Sequence, residues 1–484
     1  MDQPNDYPHP VDGKIEAHET HISRVYLAGK FAYKLKKETK TAFLDYSTLD
    51  LRLRACEEEL RLGRRYAKDL YIRVVPITRD EERMVVDGRG PIIDYAVQMH
   101  RFETDAILAE RLAQNLVMDE DIVEIARTTS KFHREAEIVH GDFDSFQEKT
   151  LDFAIDNFDV IQSQPHPEIE REIDFLRDWT RQEWGRLLEK SHDRYCVGKV
   201  RECHGDLHCG NIVHWAGRWV LFDGIEFNTD LTRIDVIYDA AFLMMDLQAR
   251  GRRDLAHVWI NAYIEETGDH DALIVLRWYM VYLAMVRAKV AAMREYQLDD
   301  EPQAKQASRA EIGRYTQLAY EFATVSQSTE LWITHGLSGS GKSTESLRAI
   351  KSLGAIRVRS DVERDRIFGS GHYDATATRA TYQRLLELAE IILDAGYKAI
   401  VDATFLKQEQ RTLFHKLAQR KEIPFRILHC QADLATLRTR IEERQAKGQD
   451  PSEANPSVLE KQLQNLEPLD DSELSYTVPK DQLL

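Results

Sequence analysis

The segment CHGDLHCGNIVHW (203–215) sets two cysteines and three histidines within thirteen positions, and two chemistries compete for it. A zinc site draws on ligand pairs two to four residues apart, with a second pair some distance away. Cys203, His204, His208, Cys209 and His214 have no such second cluster. The other reading is phosphoryl transfer. Asp206 lies five residues before Asn211, and the apolar run WVLFDG soon brings a second carboxylate, Asp223. Moving a γ-phosphoryl group to an alcohol needs a carboxylate beside the acceptor hydroxyl and oxygen ligands for the magnesium that bridges the phosphates. In that reading Asp206 is the base, Asn211 and Asp223 are the metal ligands, and His204 packs and hydrogen-bonds to hold the loop.

Such a site also needs a cation for the α and β phosphates, steadied by a carboxylate from a neighbouring helix. In FAYKL, Ala32 and Lys34 share one strand face by the two-residue period. A small residue there suits an adenine ring and Lys34 the phosphates. In ACEEELRL the partner is taken as Glu59, with Glu57 and Glu58 adjacent. The competing view leaves Lys34 on the surface as part of the run KLKK. YAVQMHRF is expected to be the hinge whose backbone reads adenine.

A second and unrelated motif lies further on. GLSGSGKST (336–344) fits GxxxxGK[ST], follows the apolar run LWITH and opens a helix with Leu347, Ile350 and Leu353 on one face before Gly354 ends it. The glycines Gly336, Gly339 and Gly341, with Ser340 and Thr344, let backbone N–H groups turn toward a polyphosphate at a helix N-terminus. Lys342 reaches the β and γ phosphates, and Ser343 can ligate Mg²⁺. After the next strand, RSDVERDR places Asp361 at the carboxyl edge of the sheet, with Arg364 one helical turn on. Asp361 is read as the base for an acceptor hydroxyl and Arg364 as a clamp for an anionic substrate group. An N-capping aspartate with a solvated arginine would explain the same letters. In ATLRTRIEERQAKGQ, Arg440 and Arg444 fall on one helix face with Arg438 nearby, as a lid of arginines over the γ-phosphate or as a solvated salt-bridged face. Asp402 and Thr404, in IVDATF, end a further strand and either help hold Mg²⁺ through water or cap the next segment.

The elements that must position these residues follow from pattern. From RVYLAGKFAYKLKK to GPIIDYAVQMHRF the chain alternates as strands, with one helical block at Leu49–Lys68. Beyond it the pattern is mainly helical. HGDFD (140–144) repeats three letters of the first motif without its asparagine and is expected to be a loop. Residues 295–310 are polar and TVSQSTE reads as a linker. LWITH, AIRVR, KAIVDAT and FRILHC then read as four buried strands separated by helices, the alternation of a parallel α/β sheet. The expected division is 1–103 as a sheet-rich lobe, 104–323 as a helical lobe, 324–330 as a linker and 331–484 as a P-loop domain; 484 residues suit several such units.

With 65 basic and 82 acidic residues the formal charge is −17, which argues against non-specific binding to phosphate backbones. The N-terminus carries no basic-then-apolar signal, and arginines and lysine interrupt LRWYMVYLAMVRAKVAAM, so no membrane segment is expected. Five cysteines without CxxC pairing suit a reducing cytoplasm.

HGDxxxxN followed by FDG, over about residues 15–322, resembles the aminoglycoside phosphotransferase family, whose kinase-like small-molecule enzymes are bilobal. HISRVYLAGK stands where a nucleotide-covering hairpin would be and lacks GxGxxG. Asp235 and Asp239, in RIDVIYDAAF, resemble positions on the helix after the metal aspartate, where the role is structural. Residues from about 330 onward resemble the small P-loop kinases that include polynucleotide 5′-hydroxyl kinases, zeta-type toxins and gluconate kinase, and Asp361-x-x-Arg364 resembles the base and clamp of the polynucleotide kinases. The order of the two halves is similar to bacterial fusions of these units. The implied fold is multidomain, α+β then α/β: a bilobal protein-kinase-like domain followed by a P-loop NTPase domain with a parallel sheet. The implied activity is a cytoplasmic, bifunctional, ATP- and Mg²⁺-dependent phosphotransferase acting on small-molecule or oligonucleotide hydroxyls. The alternatives are a nucleotide sensor with one catalytic half and a polynucleotide 5′-hydroxyl kinase.

Overall fold

The structure is a computed structural model that describes residues 1–20, 22–40, 44–298, 301–325, 328–369, 371–372, 374–447 and 456–479, with backbone alone at 444–447 and 456–457. Two units divide the chain: 1–156 with 188–246, and 157–187 with 247–484. Part of the expected linker, 326–327, lies outside the described residues.

The first unit begins with β1 (Glu16–Glu19), β2 (Ser23–Ala28), β3 (Phe31–Lys36), α1 (Leu49–Tyr66), β4 (Tyr71–Asp80), β5 (Arg83–Val86) and β6 (Ile92–His100). The strands form an antiparallel sheet in the order β1-β2-β3-β6-β4-β5. Ala28 pairs with Phe31, leaving Gly29 and Lys30 as a two-residue turn, and Gly29 takes the positive φ of 59° that such a turn needs. Because β3 is central, both of its faces are covered. Tyr33 and Leu35 pack with Tyr26, Val75 and Ile77, while Ala32 packs with Cys56, Val97 and Met99 on the α1 side. Thr48 caps α1, accepting the Leu51 N–H at 3.3 Å.

There follow α2 (Leu108–Ala113), α3 (Asp119–Glu135), α4 (Phe143–Gln162), α5 (Glu170–Cys196), β7 (Val200–Glu202), β8 (Ile212–Trp215), β9 (Arg218–Leu221), β10 (Arg233–Asp235) and α6 (Val236–Ala249). β8 and β9 form a hairpin and β7 pairs with β10, so residues 203–211 are a loop between two short ladders. HGDFD is only half a loop: Asp142 accepts the N–H of Ser145 at 3.1 Å and α4 starts at Phe143, because an aspartate can satisfy the free donors of a helix start.

In the second unit come α7 (Arg253–Thr267), α8 (Leu273–Gln297), α9 (Pro302–Thr324), β11 (Leu331–His335), α10 (Lys342–Leu353), β12 (Ile356–Arg359), α11 (Ser360–Phe368), α12 (Ala375–Asp394), β13 (Ala399–Asp402), α13 (Gln408–Arg420), β14 (Phe425–His429), α14 (Leu434–Lys447), α15 (Pro456–Asn465) and α16 (Asp471–Leu474). The polar stretch at 295–310 is thus largely helical, entering α9 through Pro302. The four expected strands form a parallel sheet in the order β12-β13-β11-β14. Every residue of β11 is buried, as for an inner parallel strand. The buried stripe of α10 is Glu345, Ser346, Ala349 and Ile350, a shift from the expected Leu347, Ile350 and Leu353, because polar partners of the loop share the inner face. No described helix is long and apolar enough to cross a membrane.

Candidate functional site

In the first unit the helical phase of α1 decides among the three glutamates. Arg52, Ala55, Cys56, Glu59, Leu62 and Gly63 are its buried residues, at the spacing of one helix face, while Glu57 is exposed. Glu59 Oε1 is 3.0 Å from Lys34 Nζ. Lys34 also pairs with Asp223, 189 residues away. Its ammonium is held well above the ordinary lysine range: burial alone would lower it, and Asp223, Glu59 and Glu226 outweigh burial.

KLKK is not a solvated run at its third residue. Lys36 shares the Lys34 face of β3, its side chain is 0% exposed, and it pairs with both Glu59 and Glu226. The Tyr46 hydroxyl donates to Glu226 Oε1 at 2.6 Å. Burial would raise the Glu59 carboxyl, and the two lysines hold it below its ordinary value instead. The sequence reading missed Lys36 and Glu226. The available signals were the period of two from Lys34 and the three-residue step from Asp223 to Glu226.

The 203–211 loop is fastened from below. Asp239 accepts the backbone N–H of His204 at 2.8 Å and of Gly205 at 2.9 Å, and lies 3.1 Å from His133 Nε2. Asp235 takes Arg194 in two bonds of 2.6 and 2.7 Å. His204 Nε2 is 2.9 Å from the Phe222 carbonyl, which can only accept, so the proton is on Nε2 and Nδ1 receives the Asp206 N–H at 3.3 Å. Burial lowers the affinity of this imidazole for a second proton. Atoms of His133, Cys203 and Asp239 that could hold a metal lie within 4.8 Å of one another. That carboxylate already receives the loop's N–H groups, and the Cys203 thiol, raised by burial, points to the Ile234 carbonyl.

Above this base, Asn211 Nδ2 donates to Asp206 Oδ2 at 3.0 Å and to the Asp206 carbonyl at 2.9 Å. It also lies 3.4 Å from the Asp223 carbonyl. With the amide nitrogen so engaged, the Asn211 oxygen is the atom left for a hard cation, which prefers oxygen. Asp223 has φ 60°, and its N–H and that of Gly224 donate to Tyr71 and Tyr66 hydroxyls, each at 3.0 Å. A Cβ on Gly224 would stand 2.8 Å from the Tyr66 hydroxyl, and one on Gly63 2.6 Å from the Tyr71 ring, so both positions need glycine. The structure thus brings Lys34, Glu59, Asp206, Asn211 and Asp223 together.

In the second unit the P-loop joins β11 to α10. Gly336, Gly339 and Gly341 have φ of 150°, 82° and 95°. A Cβ would lie 2.2 Å from the Cys430 carbonyl at Gly336 and 2.9 Å from that of Leu437 at Gly339. Only glycine permits this path. Lys342 Nζ donates to the Leu337 carbonyl at 2.9 Å, folding over the loop. The Ser340 hydroxyl is buried with no hydrogen-bond partner among the described residues, a feature that suits a polar guest. Gln462 of α15 bonds Ser338 through both ends of its amide, at 2.9 and 3.0 Å.

One cavity of about 1180 Å³ gathers Lys342, Asp361, Arg364, Asp402, Thr404 and Arg440 together with Gly339, Gly341, Ser343 and Thr344. It exceeds the roughly 300–1,000 Å³ of a single-ligand pocket, leaving room for a nucleotide and a second molecule. Arg359 is the N-cap of α11, so Asp361 is not; it lies in the first turn and accepts from Arg364 Nη1 at 3.1 Å. Arg440 Nη1 reaches the Gly339 carbonyl at 3.2 Å. The Arg444 side chain lies outside the described residues. Asp402 Oδ2 accepts from the Ser346 hydroxyl at 3.0 Å.

Residues 331–469 match the sequence profile of a family described as AAA domain. An uncharacterized protein of Mycobacterium tuberculosis (strain ATCC 25618 / H37Rv) is 28% identical over 460 residues, covering 90% of this chain and 87% of the relative. Among solved structures, a sugar kinase from Janibacter sp. HTCC2649 covers 32% of this chain and 90% of its own, at 20% identity and a TM-score of 0.26. A choline/ethanolamine kinase family protein from Mesorhizobium loti covers 64% of this chain and 92% of its own, at 11% identity and a TM-score of 0.37. The chain thus carries an α+β part followed by an α/β part, whose P-loop and parallel sheet lie within the residues that match the AAA domain profile.

Proposed function

We propose that the chain is a bifunctional ATP-dependent phosphotransferase with one nucleotide site in each part. The observation that carries this reading is the independent assembly, in each unit, of a cation for phosphates, oxygen ligands for Mg²⁺ and a carboxylate for an acceptor proton. Mg²⁺-bound ATP would supply the γ-phosphoryl group in both.

In the first site Lys34, steadied by Glu59, would hold the α and β phosphates, and the Asn211 oxygen and Asp223 would hold the Mg²⁺ that offsets their charge. Asp206 takes the proton of the acceptor hydroxyl as its oxygen bonds to phosphorus and the bond from phosphorus to ADP breaks. In the second site the loop N–H groups and Lys342 would hold the phosphates, and Ser343, with Asp402 beside it in the same cavity, would hold the Mg²⁺ that offsets their charge. Asp361 takes the acceptor proton, Arg364 grips an anionic group of the acceptor, and Arg440 and Arg444 offset charge on the moving phosphoryl group. The acceptors are hydroxyl compounds, and the site of action is the cytoplasm. Asp361 and Arg364 on one wall of the P-loop cavity favour, as a second reading of that half, the 5′-hydroxyl of an oligonucleotide.

Titration calorimetry with a non-hydrolysable ATP analogue tests the main reading. Two nucleotides should bind per chain, and one after Lys342→Ala. A single nucleotide in the wild type, with none in that variant, rejects the first site. Incubation with labelled ATP and a 5′-hydroxyl oligonucleotide tests the second reading, which fails if no label is transferred.

A further inference from the structure

Helix α7 carries His257, Asn261 and Glu265 at four-residue spacing, hence along one face. All three meet the last turn of the P-loop helix or the segment that follows it. His257 Nδ1 is 3.2 Å from the Lys351 carbonyl. Asn261 donates to the Ala355 carbonyl at 2.9 Å and accepts the Arg357 N–H at 2.7 Å. That amide does for β12 what a neighbouring strand would do. β12 is an edge of the sheet, where backbone groups otherwise stay unpaired.

Glu265 reaches further. Arg357 and Arg359 share one face of β12, and the Glu265 oxygens lie 3.6 Å from Arg357 Nη2 and 3.3 Å from Arg359 Nη1. Arg357 Nη1 in turn donates to the Ser346 hydroxyl at 3.2 Å. Ser346 is fully buried and has a choice: its oxygen is 3.0 Å from Asp402 Oδ2 and 3.1 Å from the Ser343 carbonyl. A hydroxyl has one proton to give. An arginine N–H arriving at its oxygen from a fixed direction selects the rotamer that points this proton at the carboxylate.

We propose that Glu265 is a positioning residue of the P-loop site, acting through Arg357 and Ser346 to orient Asp402, so that the site's response to Mg²⁺ depends on a helix that precedes the P-loop fold. The proposal rests on the reading of 336–344 as a nucleotide site. Without Glu265 to hold Arg357, Ser346 turns to the Ser343 carbonyl, as helix serines readily do, and Asp402 keeps only the longer approach of the Thr334 hydroxyl, 3.5 Å from its other oxygen.

The test uses the full chain and a fluorescent ATP analogue, titrated with EDTA and with Mg²⁺. Binding by the Lys342→Ala chain is subtracted to isolate the P-loop site. The quantity read is the gain in affinity that Mg²⁺ confers. Direct partners of metal-holding groups are worth roughly 10- to 100-fold in metal affinity, so a partner two bonds removed should cost roughly three- to tenfold. Glu265→Gln should reduce the Mg²⁺ gain by that factor and leave affinity in EDTA unchanged. Asn261→Ala should lower the melting temperature and leave the Mg²⁺ gain intact. An unaltered gain in Glu265→Gln overturns the proposal, as does an equal loss in both variants, which would signal general loosening. If subtraction leaves no Mg²⁺-dependent binding in the wild type, the nucleotide reading itself fails and the proposal falls with it, a result distinct from either of the others.

Discussion

Replacing Lys36 by methionine should destabilise the first unit far more than the same change at Lys34. Lys36 is 0% exposed and faces Glu59 (1%) and Glu226 (4%), whereas Lys34 is 11% exposed and its partner Asp223 is 43% exposed. Methionine fills much the same volume but takes the directly paired cation from Glu226, which keeps the Tyr46 hydroxyl and the more distant charge of Lys34. Removing one member of a buried ion pair costs about 3–5 kcal/mol. For a unit of about two hundred residues this is a fall of roughly 6–20 °C in melting temperature, at about 2–4 °C per kcal/mol. Burial would lower the Lys36 ammonium, and Glu226 and Glu59 raise it above its ordinary value, so its contribution is full below about pH 10.4 and lost only as pH rises through the folded value. At neutral pH the whole deficit should therefore appear. Calorimetric melts of the full chain from pH 8 to pH 4, about the working range for carboxylates and imidazoles, supply the measurement, with nucleotide affinity read alongside. Lys34→Met should instead lose nucleotide at the first site with a smaller thermal cost, because of its two partners Asp223 is partly solvated and Glu59 keeps Lys36. If Lys36→Met melts within about 1 kcal/mol of the wild type, or if Lys34→Met is the less stable of the two, the assignment of one lysine to the framework and the other to the ligand is wrong.

Three further outcomes follow from the geometry. Gly336→Ala drives a methyl into the Cys430 carbonyl, so nucleotide stoichiometry by calorimetry should fall from two to one. His335 is buried beneath the P-loop with neither ring nitrogen hydrogen-bonded among the described residues, and burial, with His429 nearby, lowers it to about 3. The unfolded chain binds that proton more readily, so stability is full above about pH 6.5 and lost as pH falls, by about 1.4 kcal/mol per unit; His335→Phe should flatten that slope in denaturant melts between pH 6.5 and pH 5. Asp239→Ala strands two buried N–H groups of the 203–211 loop, at roughly 1–3 kcal/mol each, and should abolish nucleotide binding at the first site while sparing the second.

Both glycine-rich and aspartate-bearing loops were legible in the sequence because each is contiguous: a P-loop or an HGDxxxxN segment is shaped mainly by its own backbone and the elements on either side. Glu59 was legible for a related reason, since helical phase alone aligns it with Ala55, Cys56 and Leu62. Arg364 could be placed one turn from Asp361, but their direct pairing appears only when side chains are set against a common cavity wall. Lys36 shows where letters run out. KLKK reads as a charged, solvated run, and its third residue is buried because β3 lies inside a sheet covered on both faces and because Glu226 returns to it from 190 residues away. The same holds for α7, whose His257, Asn261 and Glu265 look like ordinary surface residues until the end of α10 and the edge strand after it, nearly a hundred residues later, lie against them. Local backbone geometry is encoded by neighbours in sequence. Burial and ion pairing depend on which distant segments share a face, and the fold alone decides that.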